Sequence, residues 1–307
     1  MPEAQTQHYL FRLIRDKLSD EQSISDVVGN LLYVSNDSAY RRIRGETLLV
    51  LDEARILCEA FDISLDQILN AKPNSVLFKP FILNNDKYNI ENFLIDIKKN
   101  LLFITSCSQT QLICLTRDIP FFHDFAFRPL FAFHYFFWMK SVTQHPDFSA
   151  LQFCTDIKFD SIETLGYEIQ KLYTQIPSTE IISKDCIDST ISHIEYYRQA
   201  GYFKSEQDVH RVYSALRENI EHLQQQAEHG CKFLPGESAT LKKNNFEIFY
   251  NHLTNADNTF LVFLNGKKTV YLNYDSLNYM STHDENFCTG VNANIQSLMK
   301  RATLISN

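Results

Sequence analysis

A mainly α-helical chain, α+β overall and built in more than one part, is predicted from three observations. Glycine and proline are scarce, at 8 each in 307 residues, which removes the turn density that a β-sandwich needs. Apolar residues recur at helical spacing through most of the length. Near the C-terminus that period gives way to strand-like runs around Asn265-Gly266, the strongest hairpin signal in the chain. Hydrophobic content of 44% against 21% charge is a globular composition, and 307 residues suggest about two domains.

Thr6 to Leu18 places Tyr9, Leu10, Leu13, Ile14 and Lys17 at helical spacing. Ser23 precedes a short amphipathic piece, ISDVVGNLL, and Leu32 to Ser35 makes a tight break. Ser35 suits the N-cap of the next helix, because its hydroxyl can accept an orphan backbone N–H, and Gly45 is placed to end it. At about 100° per residue, Ala39 and Ile43 fall together as that helix's core positions. Asp37, Arg41 and Arg44 lie opposite with Ser38 beside them, and Tyr40 and Arg42 flank them. LDEARILCEAF then turns Ala54, Leu57, Cys58 and Phe61 inward, and ISLDQIL closes the unit.

This order resembles the phage-repressor class of helix-turn-helix regulators. The resemblance covers about residues 5–70 and is carried by LLYVS at the turn, SAYRRIRGE as recognition helix, and LDEARILCEAFDISLDQIL as closing helices. It implies a five-helix domain whose third helix enters the major groove of double-stranded DNA; because one such unit reads few base pairs, a homodimer on a two-fold site is expected. Tyr33 departs from the pattern, standing where the family commonly has glycine.

The residues themselves support the same chemistry. Arginine's planar fork matches guanine edges and neutralises phosphate. Arg41, Arg44 and Ser38 are the candidates for base edges; Ser35, Asn36, Tyr40 and Arg42 are the candidates for the backbone. Against this, residues 1–70 hold 7 Lys and Arg and 12 Asp and Glu, net -5, within a chain of net -8. Such a unit binds DNA weakly and with strong salt sensitivity. A signalling adaptor whose helix-turn-helix unit binds protein, or a small-molecule-sensing protein, is the competing reading.

The domain boundary is placed near Lys72-Pro73, which divides the chain into a 1–71 helix-turn-helix domain, a 72–88 connector and an 89–307 effector or dimerisation region. VLFKPFIL in the connector reads as a strand. Helices are predicted over Ile90 to Ser106, Ser161 to Ile176, the DCIDSTISHIEYYRQAG segment and Glu206 to Glu228. NNFEIFYNHL and NTFLVFLNGKKTVYLNYD read as strands forming a small antiparallel hairpin or sheet, and VNANIQSLMKRATLI as a last amphipathic helix. As a whole the region is similar to uncharacterised effector regions of bacterial repressor-like regulators.

Ten aromatics fall between Phe121 and Trp138, threaded with His123, Asp124, Arg128 and His134. One reading is a ligand pocket in which His123, Arg128, His134 and Trp138 orient a small molecule. The preferred one is a buried helix pair whose Arg128 and Asp124 pair with each other. The polar residues argue against a membrane span.

No phosphate loop, dinucleotide glycine motif, H-E-x-x-H or G-x-S-x-G is present. Seven cysteines stand singly with no C-x-x-C, which fits reduced thiols in a cytoplasm and not paired-cysteine zinc. MPEAQTQHYL lacks a basic region followed by an apolar run, so no signal peptide is expected. The expectation is a cytoplasmic, non-enzymatic, homodimeric transcriptional regulator without metal, cofactor or membrane partner. A small molecule or a protein is its candidate effector.

Overall fold

The computed structural model describes residues 5–18, 22–69, 76–83, 89–239, 245–252 and 258–306. The chain divides into two compact units, Met1–Leu77 and Phe78–Asn307.

The first unit holds five helices: α1 (Gln5–Arg15), α2 (Ile24–Leu32), α3 (Asn36–Ile43), α4 (Leu51–Ala60) and α5 (Leu65–Leu69). Leu10, Ile14, Val28, Ala39, Ile43 and Leu57 meet in its core, so the two positions assigned inward on α3 are the ones buried there. Lys17 is not in that core. Its ammonium donates to the carbonyls of Phe61 and Asp62 at 2.5 and 3.0 Å, closing the end of α4. Tyr33 sits at φ 54°, ψ 42°, the left-handed conformation that glycine adopts without cost. The turn between α2 and α3 therefore keeps a glycine-type geometry without the glycine. Val34 N–H closes it onto the Gly29 carbonyl at 3.0 Å. Gly29 matters to the packing, because a Cβ there would stand 3.1 Å from the Val34 carbonyl oxygen and 3.2 Å from Asn36 Oδ1.

In the second unit, helices flank a mixed sheet of eight described strands, ordered β1-β7-β6-β5-β2-β3-β4-β8. These are β1 (Lys79–Phe81), β2 (Thr110–Thr116), β3 (Ser178–Ser183), β4 (Phe246–Asn251), β5 (Thr259–Leu264), β6 (Lys267–Asn273), β7 (Tyr279–Thr282) and β8 (Thr303–Leu304). β2, β3 and β4 are parallel, and β5 returns antiparallel on the other side of β2. Helices α6 (Ile90–Ser106), α7 (Arg128–Phe137), α8 (Asp160–Tyr173), α9 (Asp188–Gln199) and α10 (Glu206–His229) precede β4, and α11 (Glu285–Met299) precedes β8. Leu112 and Cys114 face the cluster built by α6 and α8, whereas Ile113 and Leu115, one residue out of phase, face α11.

The predicted hairpin exists: β5 and β6 pair across Asn265 and Gly266, at φ 47° and 83°. It is the middle of a larger sheet, not a small one by itself. β2 and β3 are absent from the sequence reading. Both are buried on two faces, and such strands lack the alternation that reveals a half-exposed one. β1 pairs with β7, so this part of the connector is a strand of the second unit, and Pro80 is tolerated because β1 is an edge. Lys72-Pro73 lies outside the described residues.

The aromatic window is not a simple helix pair. It comprises a 3₁₀ turn at Phe121–His123, then α7, then a π turn at Trp138–Val142. Arg128 and Asp124 do not pair. Arg128 leads α7 and reaches Glu163 at 3.0 Å and the Thr155 and Ile157 carbonyls, while Asp124 folds back onto His134.

Candidate nucleic-acid interface and ligand cavity

Helix α3 starts with Ser35, whose Oγ accepts the Ser38 N–H at 3.3 Å. It ends in a double turn: Gly45 N–H reaches the Arg42 carbonyl and Glu46 N–H the Arg41 carbonyl, with Gly45 at φ 76°. Between those caps the three arginines part company. Arg41 and Arg44 are each 59% exposed and share one carboxylate, Glu46, at 3.8 and 3.2 Å. Tyr40 is half exposed, with the Arg44 guanidinium 5.7 Å from its ring centre.

Arg42 is only 15% exposed and forks onto Glu53 of α4 at 2.8 and 3.1 Å. It also donates to Ser38 Oγ at 2.6 Å. The Arg42 hydrogen bond holds the Glu53 carboxyl below its ordinary pKa. Arg42, braced by Ser38, thus ties α3 to α4. Asn36 is likewise engaged, donating to Asp26 Oδ1 at 2.5 Å, and Ser35 is occupied as a cap. The exposed side chains are Ser35, Asn36, Asp37, Tyr40, Arg41 and Arg44, of which Arg41 and Arg44 carry the positive charge.

Sequence reasoning missed Gln7. From α1 its amide donates to the Arg42 and Thr47 carbonyls at 2.6 and 2.9 Å and accepts the Leu49 N–H at 2.9 Å, clamping the α3–α4 loop. A lone glutamine on a predicted helix carries no signal of that role.

The second unit contains a cavity of about 400 Å³ at the carboxyl ends of β2 and β3, beside the start of β5. In open sheets with parallel strands, ligands lie at such strand ends where the order reverses. Its position follows from chain direction: Thr116 ends β2, Cys186 to Thr190 lead from β3 into α9, and Phe260 opens β5. Of the four residues predicted to orient a ligand, His134 and Trp138 line it. His123 and Arg128 do not, the first being buried against Glu180 and the second being turned toward Glu163.

Asp124 accepts from His134 Nδ1 at 2.9 Å through one oxygen and from the Asn219 amide at 2.8 Å through the other. A carboxylate only accepts, so His134 donates its Nδ1–H to Asp124. Nε2 has only a long contact, 3.4 Å, to Thr190 Oγ1. His193 also lines the cavity, and burial together with His134 lowers its pKa. Thr116 Oγ1 and Asn219 Oδ1, on residues 3% and 1% exposed, have no hydrogen-bond partner among the described residues.

A sealed polar cluster spans β2, β3 and the 3₁₀ turn. His123 Nε2 lies 2.8 Å from Glu180 Oε1, which also accepts from Tyr173 Oη. Lys232 Nζ donates to Ser178 Oγ at 2.6 Å and stands 3.6 Å from the Tyr173 ring centre. Burial alone would raise the Glu180 pKa, but His123, Tyr173 and Lys232 outweigh it and hold the group below its ordinary value. Burial pushes the Tyr173 hydroxyl and the Cys114 thiol up. With no solvent access, this cluster fastens the 3₁₀ turn that carries Phe121 and Asp124 into the cavity wall.

No helix among the described residues is long and apolar enough to cross a membrane. No protein-family model matches the chain, and a search of curated proteins finds no match.

Proposed function

We propose that the chain is a cytoplasmic, sequence-specific DNA-binding regulator that reads DNA through α3 as a homodimer. The observation that carries this reading is the contrast within α3. Arg42 is consumed by Glu53, while Arg41 and Arg44 stay exposed on the face opposite Ala39 and Ile43. Glu46 is itself 45% exposed, and surface ion pairs of this kind are worth only about 0–1 kcal/mol, so phosphate or a guanine edge can displace it. Arg41 and Arg44 take the base edges and Tyr40 the backbone. One such unit reads few base pairs, which is why two copies on half-sites about one helical turn apart are expected. The second unit serves as the effector region.

Selection from a random duplex pool at low salt, followed by anisotropy titration with the recovered sequence, tests the reading. Saturable, sequence-dependent binding is expected, falling steeply with added salt. The net -5 of residues 1–70 favours a second reading, a protein-binding adaptor, which predicts no sequence enrichment from the pool.

A further inference from the structure

The geometry points to the cavity at the β2 and β3 ends as a binding site for a flat aromatic molecule rich in N–H donors, an aryl amidine or an amino-substituted heterocycle. It deepens the effector role proposed for the second unit, but it rests on the cavity alone.

Three features set the ligand class. The first is an imbalance of hydrogen-bonding groups. Asn219 Oδ1, an acceptor, and Thr116 Oγ1, a hydroxyl that can accept or donate, are buried and unpartnered among the described residues. A buried acceptor without a donor is costly, and a ligand that brings N–H groups removes that cost. The second is charge. Asp118, Asp124 and Asp275 line the cavity against a single guanidinium, Arg117, so an anion is disfavoured and a cationic or neutral donor is favoured. The third is shape. Phe121, Phe137, Trp138 and Phe260 supply aromatic walls, and about 400 Å³ accommodates one or two rings. Cations held over aromatic faces gain further.

The polar groups are also held in place. Asp124 fixes both His134 and Asn219, while Ser189 Oγ donates to Asp118 Oδ1 at 2.7 Å. The site is therefore preorganised, which limits the ordering cost of binding.

Trp138 is the chain's one tryptophan and lies in the cavity wall, so its emission reports occupancy directly. The full chain is titrated with benzamidine and adenine, and with benzoate and adenosine 5′-monophosphate as anionic counterparts. A saturable change with benzamidine or adenine is expected, with the matching anion binding at least about tenfold more weakly. Thr116→Val keeps the side chain's shape and removes its unpartnered hydroxyl. It is expected to weaken binding about tenfold while leaving the urea midpoint unchanged or higher. Asn219→Ala gives a second variant with the same direction on binding.

No saturable response to either donor probe up to about 10 mM overturns the inference. So does equal binding of the anions, or unaltered affinity in Thr116→Val. Because no DNA enters these titrations, their failure and a failure of the α3 reading are separate results.

Discussion

On α3, Arg41 and Arg44 keep 59% exposure each and share one carboxylate, whereas the second unit seals His123, Glu180 and Lys232 at 3%, 0% and 0%. Both places concentrate charge, and they use it differently. The exposed pair loses little when its partner is exchanged, because water already screens it. The sealed cluster exchanges nothing, since removal of any member strands the others in low dielectric. Arg42, two-pronged on Glu53 beside the exposed arginines, sits between these extremes. A charge's burial and partners, not its place in a motif, decide whether it recognises or holds.

The largest effect that can break this contrast is expected in the sealed cluster. Glu180→Gln removes the charge bonded to His123 and attracted to Lys232 and should cost about 3–5 kcal/mol, read as a lower urea midpoint from Trp138 emission. A loss under about 1 kcal/mol means that the charges are not sealed. The acid response has a definite sign. Glu180's folded pKa lies below its ordinary 4.5, so its stabilisation is present above that value and lost as pH falls through the folded pKa. The glutamine variant should flatten the acid limb of the stability profile.

Next comes the tie between α3 and α4. Arg42→Ala should destabilise the first unit by about 2 kcal/mol, visible as faster amide exchange across α3 and α4. Arg41→Ala with Arg44→Ala should leave that exchange unchanged, within about 0.5 kcal/mol. Smallest is Tyr33→Gly. It relieves a left-handed backbone, partly offset by glycine's freedom when unfolded, for a gain of up to about 1 kcal/mol in thermal unfolding.

The helices were largely legible because each buries one stripe: Ile90–Ser106 on α6 and the Ala39 and Ile43 pair on α3 follow directly from period. The parallel strands β2 and β3 were not. Their inward and outward faces are both buried, so periodicity says nothing, and pairing between residues some 65 positions apart is set by the fold alone. The cavity was half legible for the same reason. His134 and Trp138 stand in the aromatic run, but Thr116 and Asn219 reach the site only because β2 and α10 converge there. On α3 the face of each arginine was readable, while the capture of Arg42 by Glu53, eleven residues on, depends on how α4 packs.

The central assignment is tested most directly by one anisotropy comparison. The parent, Arg41→Ala/Arg44→Ala and Arg42→Ala chains are titrated against the duplex recovered from the random pool, each at matched folded fraction. The double variant is expected to lose affinity by about 100-fold or more, while folded Arg42→Ala stays within about tenfold of the parent. Equal binding by the double variant and the parent would contradict the account.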